Sequence, residues 1–241
     1  MRIDLWSDVV CPFCLIGKRH LELALEQFPH RDEAEIVWHS FELDPNAPTI
    51  STQSLVEMVA HKYGATPAQA EASQVDIARR AAAVGLEFNW REAKPGNTFN
   101  AHRLIHLAAA TGGGALADVV AKALIKAYFT DGVAIGTDAE LRTVAIDAGL
   151  SAADVDRVLT GSDYTEEVRA DEAQAHQLGI SGVPFFLFEE KWAISGAQPV
   201  EAFVQGLHTV WEATHPQPQA PAFVDLGGQD NNAPSCGPEG C

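Results

Sequence analysis

Basic residues are scarce in this chain. Sixteen Lys and Arg stand against 33 Asp and Glu over 241 residues, a net charge of −17. A surface of that sign repels phosphate backbones and anionic headgroups, which argues against nucleic acid and membrane as partners. No uninterrupted apolar run approaches the ~20 residues that a membrane helix needs. The opening Met1-Arg2-Ile3-Asp4 lacks the long apolar region of a secretory leader, so the expected location is the cytoplasm. Cysteine is as sparse: four residues, in two close pairs, Cys11/Cys14 and Cys236/Cys241. In a reducing compartment such pairs point to catalysis or metal binding rather than to structural cross-links. The length fits one large domain or two intimate ones, and 46% apolar residues are enough for a real core.

The informative feature is Cys11-Pro12-Phe13-Cys14, at the end of the first apolar run. Ile3-Asp4-Leu5-Trp6 reads as a short strand, and the residues after the cysteines carry apolar positions near the helical period. Pro12 falls at the first helical position, where its missing N–H is not needed. Cys11 therefore stands at a helix N-terminus. Free backbone N–H groups and the helix dipole favour a thiolate there, and Cys14 lies one turn on, within disulfide reach. CxxC beside a strand–helix unit reads as a thioredoxin-like redox motif.

Strand signals lie at the two ends of the chain. Residues 35–43 form a strand candidate ended by Asp44-Pro45. The runs 184–188 and 192–195, separated by Glu189-Glu190-Lys191, suggest a hairpin. A closing helix spans roughly 200–211. Between these ends the spacing predicts helices over 51–63, from Thr66-Pro67 onward, and over 97–110 and 115–129. The last two are joined by Thr111-Gly112-Gly113-Gly114. Thr137-Asp138-Ala139-Glu140 reads as a capping box, Ser151 opens another helix, and a polar helix runs from 162 to a stop at Gly179. Neither end has enough strands to close a sheet alone. The expected α/β architecture is therefore one sheet domain, residues 1–49 and 166–215, interrupted by a helical insertion, 50–165. Residues 216–241, rich in Pro and Gly, read as a flexible tail ending in a CxxxxC.

Gly182-Val183-Pro184-Phe185-Phe186 precedes the hairpin. Together with the CPxC after the first strand and the helical insertion, it resembles the DsbA family of thioredoxin-fold proteins. Trp6-Ser7-Asp8-Val9-Val10-Cys11-Pro12, Phe41-Glu42-Leu43-Asp44-Pro45 and Asn97-Thr98-Phe99-Asn100-Ala101-His102-Arg103-Leu104 are similar to its cytoplasmic FrnE-like branch. The likeness covers about residues 1–213, and the terminal CxxxxC also resembles a feature of some FrnE proteins. It implies a thioredoxin fold and thiol–disulfide oxidoreductase activity, with isomerase activity as a further option, on protein disulfides or dithiols. A thioredoxin- or glutathione-type reductant is the implied redox partner, with no cofactor and no metal. Cys11 and Cys14 would be the catalytic pair, with Pro184 in a cis-proline loop facing them. The 20-residue linker from Pro216 to Ser235 is long enough to bring Cys236/Cys241 to them as an electron relay, with a passive end or a two-thiolate metal ligand as the alternatives. Pro12, Phe13, Val183 and Phe185 would meet the client. Phe13 stands where periplasmic DsbA has His, which implies a milder oxidant.

Two alternatives stay open on the residues. A glutathione-dependent isomerase or transferase of the 2-hydroxychromene-2-carboxylate isomerase type shares the fold but generally lacks the full CxxC. A non-catalytic protein could hold zinc between its two cysteine pairs. His102 and His106, four apart on one helix face, could pair on a metal, but no Glu or Cys completes a site nearby, and the expected role is a surface or half-buried pair. Glu42, at the end of the second strand, is a candidate proton acceptor for Cys14. Phe185, Phe186 and Phe188 read as core.

Overall fold

A computed structural model describes residues 1–216. The tail beyond, with Cys236 and Cys241, lies outside the described residues. The elements run β1 (Arg2–Ser7), α1 (Pro12–Glu26), β2 (Glu35–Ser40), α2 (Leu55–Tyr63), α3 (Pro67–Ala83), α4 (Phe99–Phe129) and α5 (Asp138–Asp147). Then follow α6 (Ala152–Thr160), α7 (Thr165–Gln177), β3 (Phe185–Phe188), β4 (Trp192–Ser195) and α8 (Val200–Thr214). The sheet order is β2-β1-β3-β4. β1 pairs parallel with β2, with Trp6 opposite His39, and antiparallel with β3, with Leu5 opposite Phe186. The two chain ends thus supply one sheet between them, the α/β thioredoxin-like arrangement with a helical insertion that the strand count demanded.

The alternation of β1 sorts its side chains onto two faces. Ile3 and Leu5 join Phe186, Phe188, Leu21, Phe203 and Leu207 in the main core, beneath α1 and α8. That cluster continues without a break into Leu104, Leu107, Val120 and Leu124 of α4, so the inserted helices share the core of the sheet. Trp6 faces the other way, with Ala175 of α7, Ile180, Phe185 and Leu187. Phe186 and Phe188 are buried as expected, whereas Phe185 is half-buried on the second face.

Several boundaries move for local reasons. α2 starts at Leu55 rather than at 51 because Ser54 closes a capping box with Glu57. The predicted box at Thr137 does not form: its hydroxyl donates to the carbonyl of Ala134, 3.1 Å away. The polar helix begins at Thr165, not 162, and α8 runs three residues past its expected end. The glycine run does divide α4, where Gly113 takes φ 68° and ψ −168°. Contrary to the expectation of no membrane-length segment, Phe99–Phe129 is long and apolar enough to span a bilayer by length and composition. The break at Gly113 and the burial of Leu104, Leu107, Val120 and Leu124 in the main core account for those apolar residues.

Candidate active site

β1 delivers the chain to the top of the sheet, and α1 turns back beneath it. Cys11 is the N-cap of that helix, with Pro12 at its first turn. The Cys11 Sγ accepts the backbone N–H of Cys14 at 3.3 Å, so the helix dipole and one N–H converge on that sulfur. On its other side, the Cys11 thiol donates to the carbonyl oxygen of Val183 at 3.6 Å. The Val183–Pro184 bond is cis, as the motif implied. Residues far apart in the chain thus meet at one point, because β3 is the antiparallel neighbour of β1 and its entry loop lies beside the start of α1.

Both cysteines are free thiols and both are buried, Cys11 at 3% and Cys14 at 1% exposure. The two therefore differ less by exposure than by surroundings. Burial, reinforced by hydrogen bonding and charge from Cys11, pushes the Cys14 thiol well up; the Ser7 hydroxyl and the Asp8 backbone work the other way. Phe13 between them is exposed at 41%. Gly179, Ile180, Ser181, Gly182, Val183, Pro184 and Phe185 line an open groove with Ser195 and Gly196 beside the Cys11 sulfur.

Two sequence candidates take other roles. The Glu42 carboxylate is held by Arg169 at 2.5 Å, while the polar neighbours of Cys14 are Cys11, Ser7 and Asp8. Burial, opposed by Arg169, raises the Glu42 carboxyl above the usual range. His102 and His106 do not share a site. His102 lies 3.3 Å from Asp8, and His106 lies 3.0 Å from Asp171. Among the described residues, no group of three His, Cys, Asp or Glu is arranged to hold a metal.

One constellation escaped the local reading. His39 on β2 donates from both ring nitrogens, to Asp4 and to Asp171, each at 2.7 Å, and Trp6 stacks on its ring at 4.4 Å. Burial opposes the charged ring, but the two carboxylates outweigh it and push His39 up to about 9. Burial likewise opposes ionisation of Asp171, and His106 and His39 overcome it, so that its carboxyl falls below the carboxylate range. This group ties α7 to the sheet beneath the loop that carries Pro184.

Comparison with known proteins agrees with this geometry. Residues 2–208 match the DSBA-like thioredoxin domain. A probable DsbA oxidoreductase from Streptomyces coelicolor is 39% identical, with a TM-score of 0.83 over 100% of this chain and 98% of that one. Two more distant structures share the fold. A cytosolic disulfide reductase, DsbM, from Pseudomonas aeruginosa, solved with GSH, is 16% identical with a TM-score of 0.60 over 87% of this chain and 98% of its own. A 2-hydroxychromene-2-carboxylate isomerase is 14% identical with a TM-score of 0.64 over 89% and 98%. No curated protein matches. On the family match and the 39% identical relative, the chain belongs to the DsbA-like thioredoxin-domain family.

Proposed function

We propose that this chain is a thiol–disulfide oxidoreductase of the FrnE-like branch that acts on the disulfides of protein clients. The observation that carries the reading is the position of the Cys11 sulfur. It sits at a helix N-terminus, 3.6 Å from the Val183 carbonyl, with the Cys14 thiol buried behind it. In the reducing direction the Cys11 thiolate attacks one sulfur of the client disulfide, and the client's other sulfur leaves as a thiolate. Cys14 then loses its proton and attacks the Cys11 sulfur. The Cys11–client bond breaks, and the Cys11–Cys14 disulfide carries the two electrons' worth of oxidation. The oxidising direction is the reverse. The open groove along 179–185 suits an extended client backbone, and Phe13 and Pro12 offer an apolar surface beside the sulfur.

The reading extends to the sequence pair Cys236/Cys241 as a relay that passes electrons between Cys11/Cys14 and a thioredoxin- or glutathione-type reductant. The presence of both Cys11 and Cys14 favours dithiol exchange over the isomerase-type alternative. Two variants test the core of the proposal. Cys11→Ser abolishes disulfide reductase activity, and Cys14→Ser accumulates mixed disulfides on a non-reducing gel. Full activity in Cys11→Ser overturns the reading. For the relay, a Cys14→Ser background under graded redox buffer yields Cys11–Cys236 or Cys11–Cys241 linkage by mass spectrometry. Absence of that adduct, with unchanged turnover after deletion of residues 230–241, removes the relay and leaves the rest standing.

A further inference from the structure

Resolution requires Cys14 to give up a proton from a site where burial holds it on the sulfur. Near neutral pH, where hydroxide is scarce, the acceptor has to lie inside the protein, because Cys14 is 1% exposed. The buried polar groups behind Cys14 are unusual in one respect. Asp8 Oδ1, His102 Nε2, Glu42 Oε1 and Tyr128 OH are buried without a hydrogen-bond partner, and apart from one atom of Gln74 no other such side-chain atom occurs among the described residues. Buried polar atoms are almost always paired, so a concentration of unpaired ones asks for a role.

The four belong together. His102 Nε2 lies 3.3 Å from Asp8 Oδ1, close enough for charge attraction but out of line for a hydrogen bond. Asp8 Oδ2 is fixed by the backbone N–H of Leu43 at 2.8 Å. Tyr128 feels the Asp8 carboxylate, and Glu42 feels His102. The outer end of the group is the Glu42–Arg169 ion pair, whose guanidinium reaches solvent. The inner end is Ser7, a buried residue whose hydroxyl favours the Cys14 thiolate against the effect of burial. Between Ser7 and the His102 imidazole is a cavity about the size of one water, lined also by Val9, Trp38, His39, Ser40 and Ile105. Of the imidazoles nearby, His39 already donates from both nitrogens, and His106 is engaged by Ser40 and Asp171. His102 alone of the three has an unpartnered ring nitrogen in the buried group.

We infer that Ser7 and His102 form an internal proton path that serves Cys14, with Asp8 holding the imidazole. The inference rests on the thiol–disulfide reading above. As Cys14 attacks the Cys11–client disulfide, its proton passes to the Ser7 hydroxyl. The Ser7 proton moves through one water in the cavity to His102. The imidazolium so formed lies between the carboxylates of Asp8 and Glu42, which stabilise it. The proton leaves when the Cys11–Cys14 disulfide is complete. Atoms and charge balance: one S–S bond forms, one breaks, the client departs as thiolate, and one proton rests on His102.

A two-burst experiment tests this. The reduced full-length protein, with Cys236→Ser and Cys241→Ser so that only the two active-site thiols report, is mixed in stopped flow with dithiobis-nitrobenzoate, whose thiolate product is coloured. The first burst reports Cys11 attack and the second reports Cys14 resolving the mixed disulfide. His102→Gln and Ser7→Ala are expected to leave the first burst unchanged. Each should slow the second by about 100-fold near neutral pH, the lower end of what a positioned acid–base group contributes. The deficit should shrink as the pH is raised and hydroxide replaces the internal acceptor. A merely structural role for either residue would not produce that pH-dependent recovery. An unaltered second burst in either folded variant overturns the inference. If His102→Gln does not fold, which circular dichroism would show, Ser7→Ala decides the matter alone. Failure of the underlying reading looks different: the parent protein would show no second burst, or Cys11→Ser would keep full disulfide reductase activity.

Discussion

A Cβ placed on Gly17 would lie 2.8 Å from Cγ of Pro184 and 3.3 Å from the backbone of Ala197. Gly17 sits in the second turn of α1, and its missing side chain lets the Val183–Pro184 loop lie directly on the helix that carries the two cysteines. In an ordinary helix interior, Gly→Ala stabilises by up to ~1 kcal/mol. Here the added methyl meets a ring carbon and a main chain, neither able to swing away. Gly17→Ala is therefore expected to destabilise by roughly 1–3 kcal/mol, as overpacking does. It should also lower reductase kcat/KM, because the loop moves off Cys11. Urea unfolding and a reductase assay on the variant check both effects. A stabilised and fully active variant would show that the close contact is dispensable.

Much of this site could be read from the chain before any coordinates. The CPxC at a strand–helix junction, the Gly-Val-Pro before a strand and the split sheet are all local signals, each set by residues a few positions apart. The Gly112–Gly114 break in α4 was equally visible, since glycine alone takes φ 68° without penalty. What stayed hidden depends on pairing across the fold. His102 and His106 share a helix face, which the spacing alone leaves as a surface or half-buried pair. The fold instead hands one to Asp8 and the other to Asp171. Asp8 stood inside the quoted Trp6–Pro12 motif, yet its partners come from α4 and the loop after β2. The Thr137 hydroxyl could accept the N–H of Glu140 or donate to a carbonyl of the preceding turn, and the fold decides for the carbonyl of Ala134.

Phe13 separates the two classes of substrate. Its ring is 41% exposed beside Cys11, where it has no packing role to lose. Burying such a ring only in part against a client contributes about 1 kcal/mol, a fraction of the ~1.5–3 kcal/mol for full burial. Phe13→Ser is expected to raise KM for an unfolded protein client about fivefold. The rate with a small aliphatic disulfide should hardly change. Steady-state kinetics with both substrates decide it, and an equal loss on both would place the ring in the chemistry instead.

The β3–β4 hairpin turns through two glutamates with positive φ, Glu189 at 48° and Glu190 at 54°, closed by the Lys191 N–H on the Phe188 carbonyl at 3.0 Å. That backbone suits Asn-Gly and is unfavourable for residues with a long side chain. Glu189 is retained by its hydrogen bond to the N–H of Arg2, 2.8 Å away. Glu190→Gly is thus expected to stabilise by about 1 kcal/mol, a rise in Tm of roughly 2–4 °C for a domain of this size. Thermal unfolding of the variant measures it. A lower Tm would mean that Glu190 makes a compensating contact.

His39 makes the stability of the whole chain depend on pH. Its folded value of about 9 lies above the ~6.5 of an unfolded histidine. Its contribution is therefore complete below pH ~6.5 and is lost as the pH rises toward 9. Asp4 and Asp171 are held below their ordinary range, so their share is present above pH ~4 and is lost in stronger acid. The two conditions overlap between about pH 4 and 6.5, where the link between α7 and the sheet is strongest. The His39 shift corresponds to roughly 3 kcal/mol. Urea unfolding should show wild-type stability falling by that order between pH 6 and 9. His39→Gln should be less stable than wild type by a similar amount at pH 6 and nearly equal to it at pH 9. A wild-type stability that stays flat across this range, or a variant deficit that persists at pH 9, would mean that the imidazole is neutral in the folded protein. The Asp4–His39–Asp171 contacts would then act through packing rather than charge.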